Sequence, residues 1–201
     1  MENKLIKMEN LKQKLLELKA CNEAIAWSNG KNINEVWETC PRGDWMLWLF
    51  SRTNSGDFKL LTLAKGHCAN TVRHLMKDQR SLDAVDAAIK FGNGEISIDE
   101  LNVFAEESYS AYTVISAASN AASYAAYAVF AVNAVFDSAS ASSDAAALAG
   151  FIEAIDNARP NGGNGIPAYL RVYDLAKAYA RKDNQLLTSD ICRKYLPCPV
   201  I

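Results

Sequence analysis

Residues Ser108 to Phe136 read SYSAYTVISAASNAASYAAYAVFAVNAVF, a run with no charged side chain, no proline and no glycine. Alanine dominates it, and alanine has the highest intrinsic helix propensity because it gives up no side-chain freedom on entering a helix. Methyl groups on most sides let neighbouring helix axes come close, while Tyr109, Tyr112, Tyr124, Tyr127, Phe130 and Phe136 fill the wider gaps. The stretch predicts an all-α fold class: a compact multi-helix bundle around a long central Ala-rich helix. An apolar run of this length must also be weighed as a membrane span. Ser110, Ser116, Ser119, Asn120, Ser123 and Asn133 within it, and the small gain alanine makes in lipid, favour a soluble core.

Working outward, 201 residues suit a single helical domain, 1–201, with residues 1–17 as a peripheral N-terminal helix. From Glu2 to Trp27, Leu5, Met8, Leu11, Leu15, Leu18 and Ile25 recur every three or four positions, the period of an amphipathic helix closed by Asn29-Gly30. Asn32 or Asn34 can cap a short helix through Trp37. Cys40-Pro41-Arg42-Gly43 then breaks the chain, with Asp44 as N-cap of a helix that is apolar all round. A helical segment spans Asp57 to Asp78, and Ser81 caps the next helix, which Gly92-Asn93-Gly94 closes. Ser97 or Asp99 starts the long helix, and the Ser-rich patch up to Asp144 interrupts it before a helix from Ala145 to Ala158. After the Arg159–Gly165 loop come a helix from Ala168 to Arg181 and a last one beginning after Thr188 or Ser189, stopped by Pro197.

Composition narrows the function classes. A net charge of −2 with no basic stripe argues against general nucleic-acid binding. Five cysteines in no framework spacing, behind a Lys- and Glu-rich start, fit free thiols in a cytoplasmic setting. His67, Cys68 and His74 lack the ligand spacing of a zinc site, and the acidic series from Asp83 to Glu100 lacks the order of a calcium loop, so no metal and no cofactor is expected. Nucleophile elbows and metalloprotease motifs are missing. A Cys–His pair drawn from Cys40 or Cys68 with His67 or His74 would be the one nucleophilic arrangement, and inert core thiols are the better reading, so the chain reads as no enzyme.

The densest stretch holds Trp27, Trp37, Trp45 and Trp48, all four tryptophans of the protein, together with Cys40, Arg42 and Asp44. Indole faces can hold a flat ligand or a partner's side chain while Arg42 offers a planar bidentate donor. The same residues could equally fill a core, with Asp44 capping a helix. A buried Arg42 would need a counter-charge, and Asp44 and Glu23 are the candidates.

Ala20-Cys21-Asn22-Glu23-Ala24, the segment from Trp37 to Leu49, the alanine-rich middle and the closing Ile191-Cys192-Arg193-Lys194-Tyr195-Leu196-Pro197 resemble a family of small helical proteins of phages and bacteria, some labelled immunity proteins. The family pattern Cys-Ala-Arg stands here as Cys68-Ala69-Asn70, with the nearest arginine at Arg73. The resemblance implies a non-catalytic protein of the immunity or phage anti-defence type that neutralises a protein partner, such as a toxin, nuclease or immune effector, by stoichiometric binding. The alternative is a binder of a nucleotide-like small ligand, with Trp37, Trp45 and Trp48 stacking a base and Arg42, Arg73 and Arg193 taking phosphates. Small residues on the central helix would also suit a homodimer seam.

Overall fold

The computed structural model describes residues 11–53, 57–111, 137–157 and 166–201. They are all-α, in the order α1 (11–17), α2 (Asn22–Ser28), α3 (Ile33–Thr39), α4 (Gly43–Thr53), α5 (Phe58–Asn70), a 3-10 turn (Arg73–Leu75), α6 (Gln79–Asn93), α7 (Ile98–Ala111), α8 (Asp137–Asn157) and α9 (Ile166–Tyr195). The central Ala-rich helix expected over Ser108–Phe136 falls mostly outside the described residues, as does the Arg159–Gly165 loop; its first residues, to Ala111, belong to α7. Among the described residues, no helix is long and apolar enough to cross a membrane.

Close packing of small residues, expected of that stretch, is seen in α8. Ala139, Ala141, Ala145 and Ala147 are buried against α4, α5 and α9, and α8 with α9 makes the most extensive helix pair. Hydroxyls set the register here. Ser142 Oγ donates to Cys68 O at 2.9 Å, Ser143 Oγ to Asn184 Oδ1 at 3.1 Å, and Asn184 Nδ2 to Thr71 Oγ1 at 2.9 Å. The buried Ser142, Ser143 and Asn184 side chains are thereby matched, as burial requires. Two glycines permit backbone approach. A Cβ on Gly43 would stand 2.6 Å from Thr188 Oγ1, and one on Gly92 would stand 2.4 Å from Leu63 Cβ.

Several boundaries differ from the sequence reading. The first helix ends at residue 17, where Lys19 turns to φ 62° and the N–H groups of Lys19 and Ala20 reach back to Leu16 O and Leu15 O, a Schellman closure made without glycine. Leu11 and Leu15, on the apolar face of α1, are buried with Val36 and Leu49. Asp44 is not an N-cap, because α4 already begins at Gly43 and the carboxylate is taken by Arg42. Asp78, not Ser81, caps α6; its side chain accepts from Arg80 N, and Ser81 is buried one turn inside. The Ser-rich patch does not break α8, since Ser143 Oγ bonds back to Ala139 O within the helix. Nor do Thr188 and Ser189 start a new helix. Their hydroxyls donate to Gln185 O and Leu186 O, so α9 runs unbroken to Tyr195.

Candidate functional site

The tryptophan corner is assembled from both ends of the chain. A capping box starts α3: Asn32 Oδ1 accepts from Glu35 N at 3.1 Å, and the Glu35 carboxylate accepts from Asn32 N at 2.9 Å. Its far end is held by α9, where Arg193 Nη1 donates to Cys40 O at 2.9 Å and to Trp37 O at 3.3 Å. Arg193 Nη2 goes to Ser189 Oγ and Asp190. Carbonyls at a helix C-terminus are otherwise orphaned, so this guanidinium closes α3 and joins it to α9.

After the Pro41 break, α4 lies on Thr188 through Gly43 and carries Trp45 and Trp48 one turn apart. Arg42 Nε and Nη2 donate to the two oxygens of Asp44 at 2.8 and 2.6 Å, and the guanidinium lies 4.7 Å from the centre of the Trp45 ring. Arg42 and Asp44 side chains are 28% and 10% exposed. That hydrogen-bonded carboxylate holds the Arg42 pKa above its ordinary value, with Glu23 adding a weaker field. Trp27 meets Trp45 at 6.2 Å between ring centres, tilted by 58°, and Lys31 Nζ sits 3.6 Å over the Trp27 ring. Trp37 is fully packed in the core, at 5% exposure.

All four indoles border one apolar void of about 30 Å³, too small for more than a water-sized guest. The open space lies beside it. Lys19, Ala20, Cys21 and Ala24 form one wall, and Asp44, Trp45 and Trp48 the other, of a cleft of about 300 Å³. The left-handed turn at Lys19 puts the first wall in place, and the sequence gives no warning of it, because lysine is not a residue that seeks that conformation.

Of the expected site residues, Arg42, Asp44, Trp37, Trp45 and Trp48 come together here, with Trp37 behind the cleft as core. Arg193 reaches the same corner as a structural clamp on α3. Arg73 does not join them. It makes a bidentate pair with Asp86 of α6, at 2.6 and 2.9 Å, because α5 runs away from the corner and ends beside that helix. A phosphate grip by Arg42, Arg73 and Arg193 together is therefore not what the geometry offers.

The five cysteines are free thiols. Burial pushes Cys40 up to about 11, and Cys192 is raised by burial and by its hydrogen bond with the Cys68 thiol, so both stay protonated near neutrality. His67 does not activate a thiol in this arrangement; it stacks on Tyr195 with ring centres 4.2 Å apart. Among the described residues no cluster of three or more His, Cys, Asp or Glu side chains is arranged to hold a metal ion. Lys65, 1% exposed, was not singled out from sequence. Its place in the period Leu61, Lys65, Cys68, Val72 could have marked it as an inward cation. No protein-family model, curated protein or solved structure matches the chain.

Proposed function

We propose that the protein acts by stoichiometric binding, as an immunity or anti-defence type protein in the cytoplasm of a bacterial cell, covering a toxin or immune effector with the tryptophan corner as its anchor. The observation that carries this reading is the preformed cleft of about 300 Å³ faced by the half-buried Trp45 and Trp48, with Arg42 held on the Trp45 ring. Trp and Arg are the residue types that dominate binding energy in protein interfaces, most of all where they are held rigid before the partner arrives. The Asp44 bond fixes Arg42 in that pose, so little side-chain freedom is left to lose on association.

The alternative, a nucleotide-like ligand, has the indole faces in its favour and a space at the lower limit of small-molecule pockets. It is short of cations for phosphate, since Arg42, Arg73 and Arg193 are all engaged and the cleft wall brings a single one, Lys19. Thermal denaturation with a panel of nucleotides and cyclic oligonucleotides, run beside affinity capture from host lysate, separates the two. We expect no nucleotide to raise the Tm and one protein to be captured in equimolar amount. A rise of several degrees at saturating nucleotide would replace the first reading with the second.

A further inference from the structure

The charge of this chain is unevenly placed. Its net charge is −2, yet from Asp78, the cap of α6, through α7 there are eight carboxylates against two cations, Arg80 and Lys90, a local charge of −6. Folding uses some of these acids. Asp78 pairs with Arg80, Asp86 with Arg73, and Glu100 takes the backbone N–H of Ser97 in a capping box. Others serve no such end: Asp99 and Glu106 have no ion-pair partner among the described residues, and Glu107 feels Arg80 only as a more distant field. Like charges gathered on one hairpin repel each other, so this hairpin carries a surplus of negative charge that its own ion pairs do not neutralise.

Between the same two helices lies a groove of about 450 Å³. Ala87, Ile96, Val103 and Phe104 give it an apolar lining, and Asp83, Asp86 and Glu100 line it as carboxylates, with Lys90 as the one cation. Val103 is 55% exposed, a β-branched side chain left in water on a helix whose inner face is already satisfied by Leu101. Asp99, Glu100, Glu106 and Glu107 stand three or four positions from Val103 on either side, the spacing that makes them its neighbours on the helix surface. The result is an exposed apolar strip beside which carboxylates outnumber the single cation, Lys90.

We propose that the groove between α6 and α7 is a docking surface for a basic amphipathic segment of a protein partner, its aliphatic side chains on Val103 and Phe104 and its lysines or arginines on the surrounding carboxylates. Charge complementarity selects this occupant. A second copy of the chain would bring another −6 against the first, and a nucleic acid or an anionic lipid surface would be repelled in the same way. The inference rests on the reading of the chain as a protein binder and adds the chemistry of what it binds. It does not need the tryptophan cleft.

The test is fluorescence anisotropy with a labelled helical peptide of alternating lysine and leucine faces, beside a lysine/serine peptide of equal charge. The expected result is that the lysine/leucine peptide binds about tenfold more tightly than the lysine/serine peptide, and about tenfold more weakly once salt is raised to about 0.5 M. Val103→Ser and the double variant Glu106→Lys/Glu107→Lys should each weaken it by about tenfold, and Trp48→Ala should leave it unchanged. Equal binding of the two peptides, or hairpin variants that bind like the parent, would overturn the proposal. Loss of binding in Trp48→Ala alone would also overturn it, moving the peptide to the tryptophan cleft and leaving the reading of that cleft intact.

Discussion

The tryptophan corner and the α6–α7 hairpin treat charge in opposite ways. At the corner each arginine has its work within the molecule: Arg42 is locked to Asp44 and laid on Trp45, and Arg193 closes the end of α3. On the hairpin, carboxylates outnumber their partners and surround an exposed valine. The difference teaches that one region is built by preorganisation and the other by surplus. Loss of a fixed pair at the first should show in stability as well as binding, and loss of the surplus surface charge at the second in binding alone.

The largest effects should come where backbones touch. Gly43→Ala drives a methyl into Thr188 at the corner, and Gly92→Ala drives one into Leu63 beneath the hairpin. Each should lower unfolding free energy by about 2 kcal/mol or more in a urea titration, the range of overpacked sites, with the helix-propensity gain at Gly92 offsetting about 1 kcal/mol. If either is neutral, the helices there can separate, and the close approach is not what holds that region.

Next come two ion pairs of the same bidentate form and different burial. Arg42→Ala leaves the Asp44 carboxylate, 10% exposed, without its partner, whereas Arg73→Ala leaves Asp86, 46% exposed, open to water. The first should cost about 2 kcal/mol and the second less than about 1 kcal/mol by chemical denaturation. Equal costs would mean that burial does not distinguish the regions. Arg42→Lys should not restore the first, since a point charge cannot make the fork.

Smaller still is the hairpin's charge. Glu106→Lys/Glu107→Lys should change stability by no more than about 0.5 kcal/mol, and in the stabilising direction, because both residues are exposed and stand among like charges. A clear loss would show that those acids serve the fold. The smallest effect belongs to His67, which lies outside both regions. Burial, aided by the Lys194 charge, holds its pKa below the ordinary 6.5, so the unfolded chain takes up a proton at a pH where the folded one does not. Its contribution is therefore present above about pH 6.5 and lost as pH falls. Between pH 7 and 5 the Tm of the parent should drop more steeply than that of His67→Gln, and parallel curves would contradict the assignment.

The all-helical class and the gathering of the tryptophans were legible because both rest on local signals: alanine propensity, apolar spacing of three and four, and the Pro41-Arg42-Gly43 break. The Arg42–Asp44 pair was legible for the same reason, as its members are two residues apart. What the sequence concealed depends on contacts far along the chain. Arg193 serves Trp37 and Cys40 from more than 150 positions away, and Arg73 finds Asp86 once α6 folds back on α5. Thr188 and Ser189 look like caps by type, but bonding back within α9 satisfies their hydroxyls without ending the helix. The left-handed Lys19, which makes the cleft wall, belongs to a class of exceptions that no propensity marks.

If the tryptophan corner is the anchor, the cleft beside Trp45 and Trp48 is where a protein partner is held. Equimolar capture from host lysate should be compared for the parent, Trp48→Ala and Cys21→Trp, the last filling the cleft from an exposed position, with circular dichroism confirming that helicity is kept. The prediction is one captured protein with the parent and at least about a tenfold loss with each folded variant, the scale of a central interface residue. Undiminished capture by both variants would contradict it.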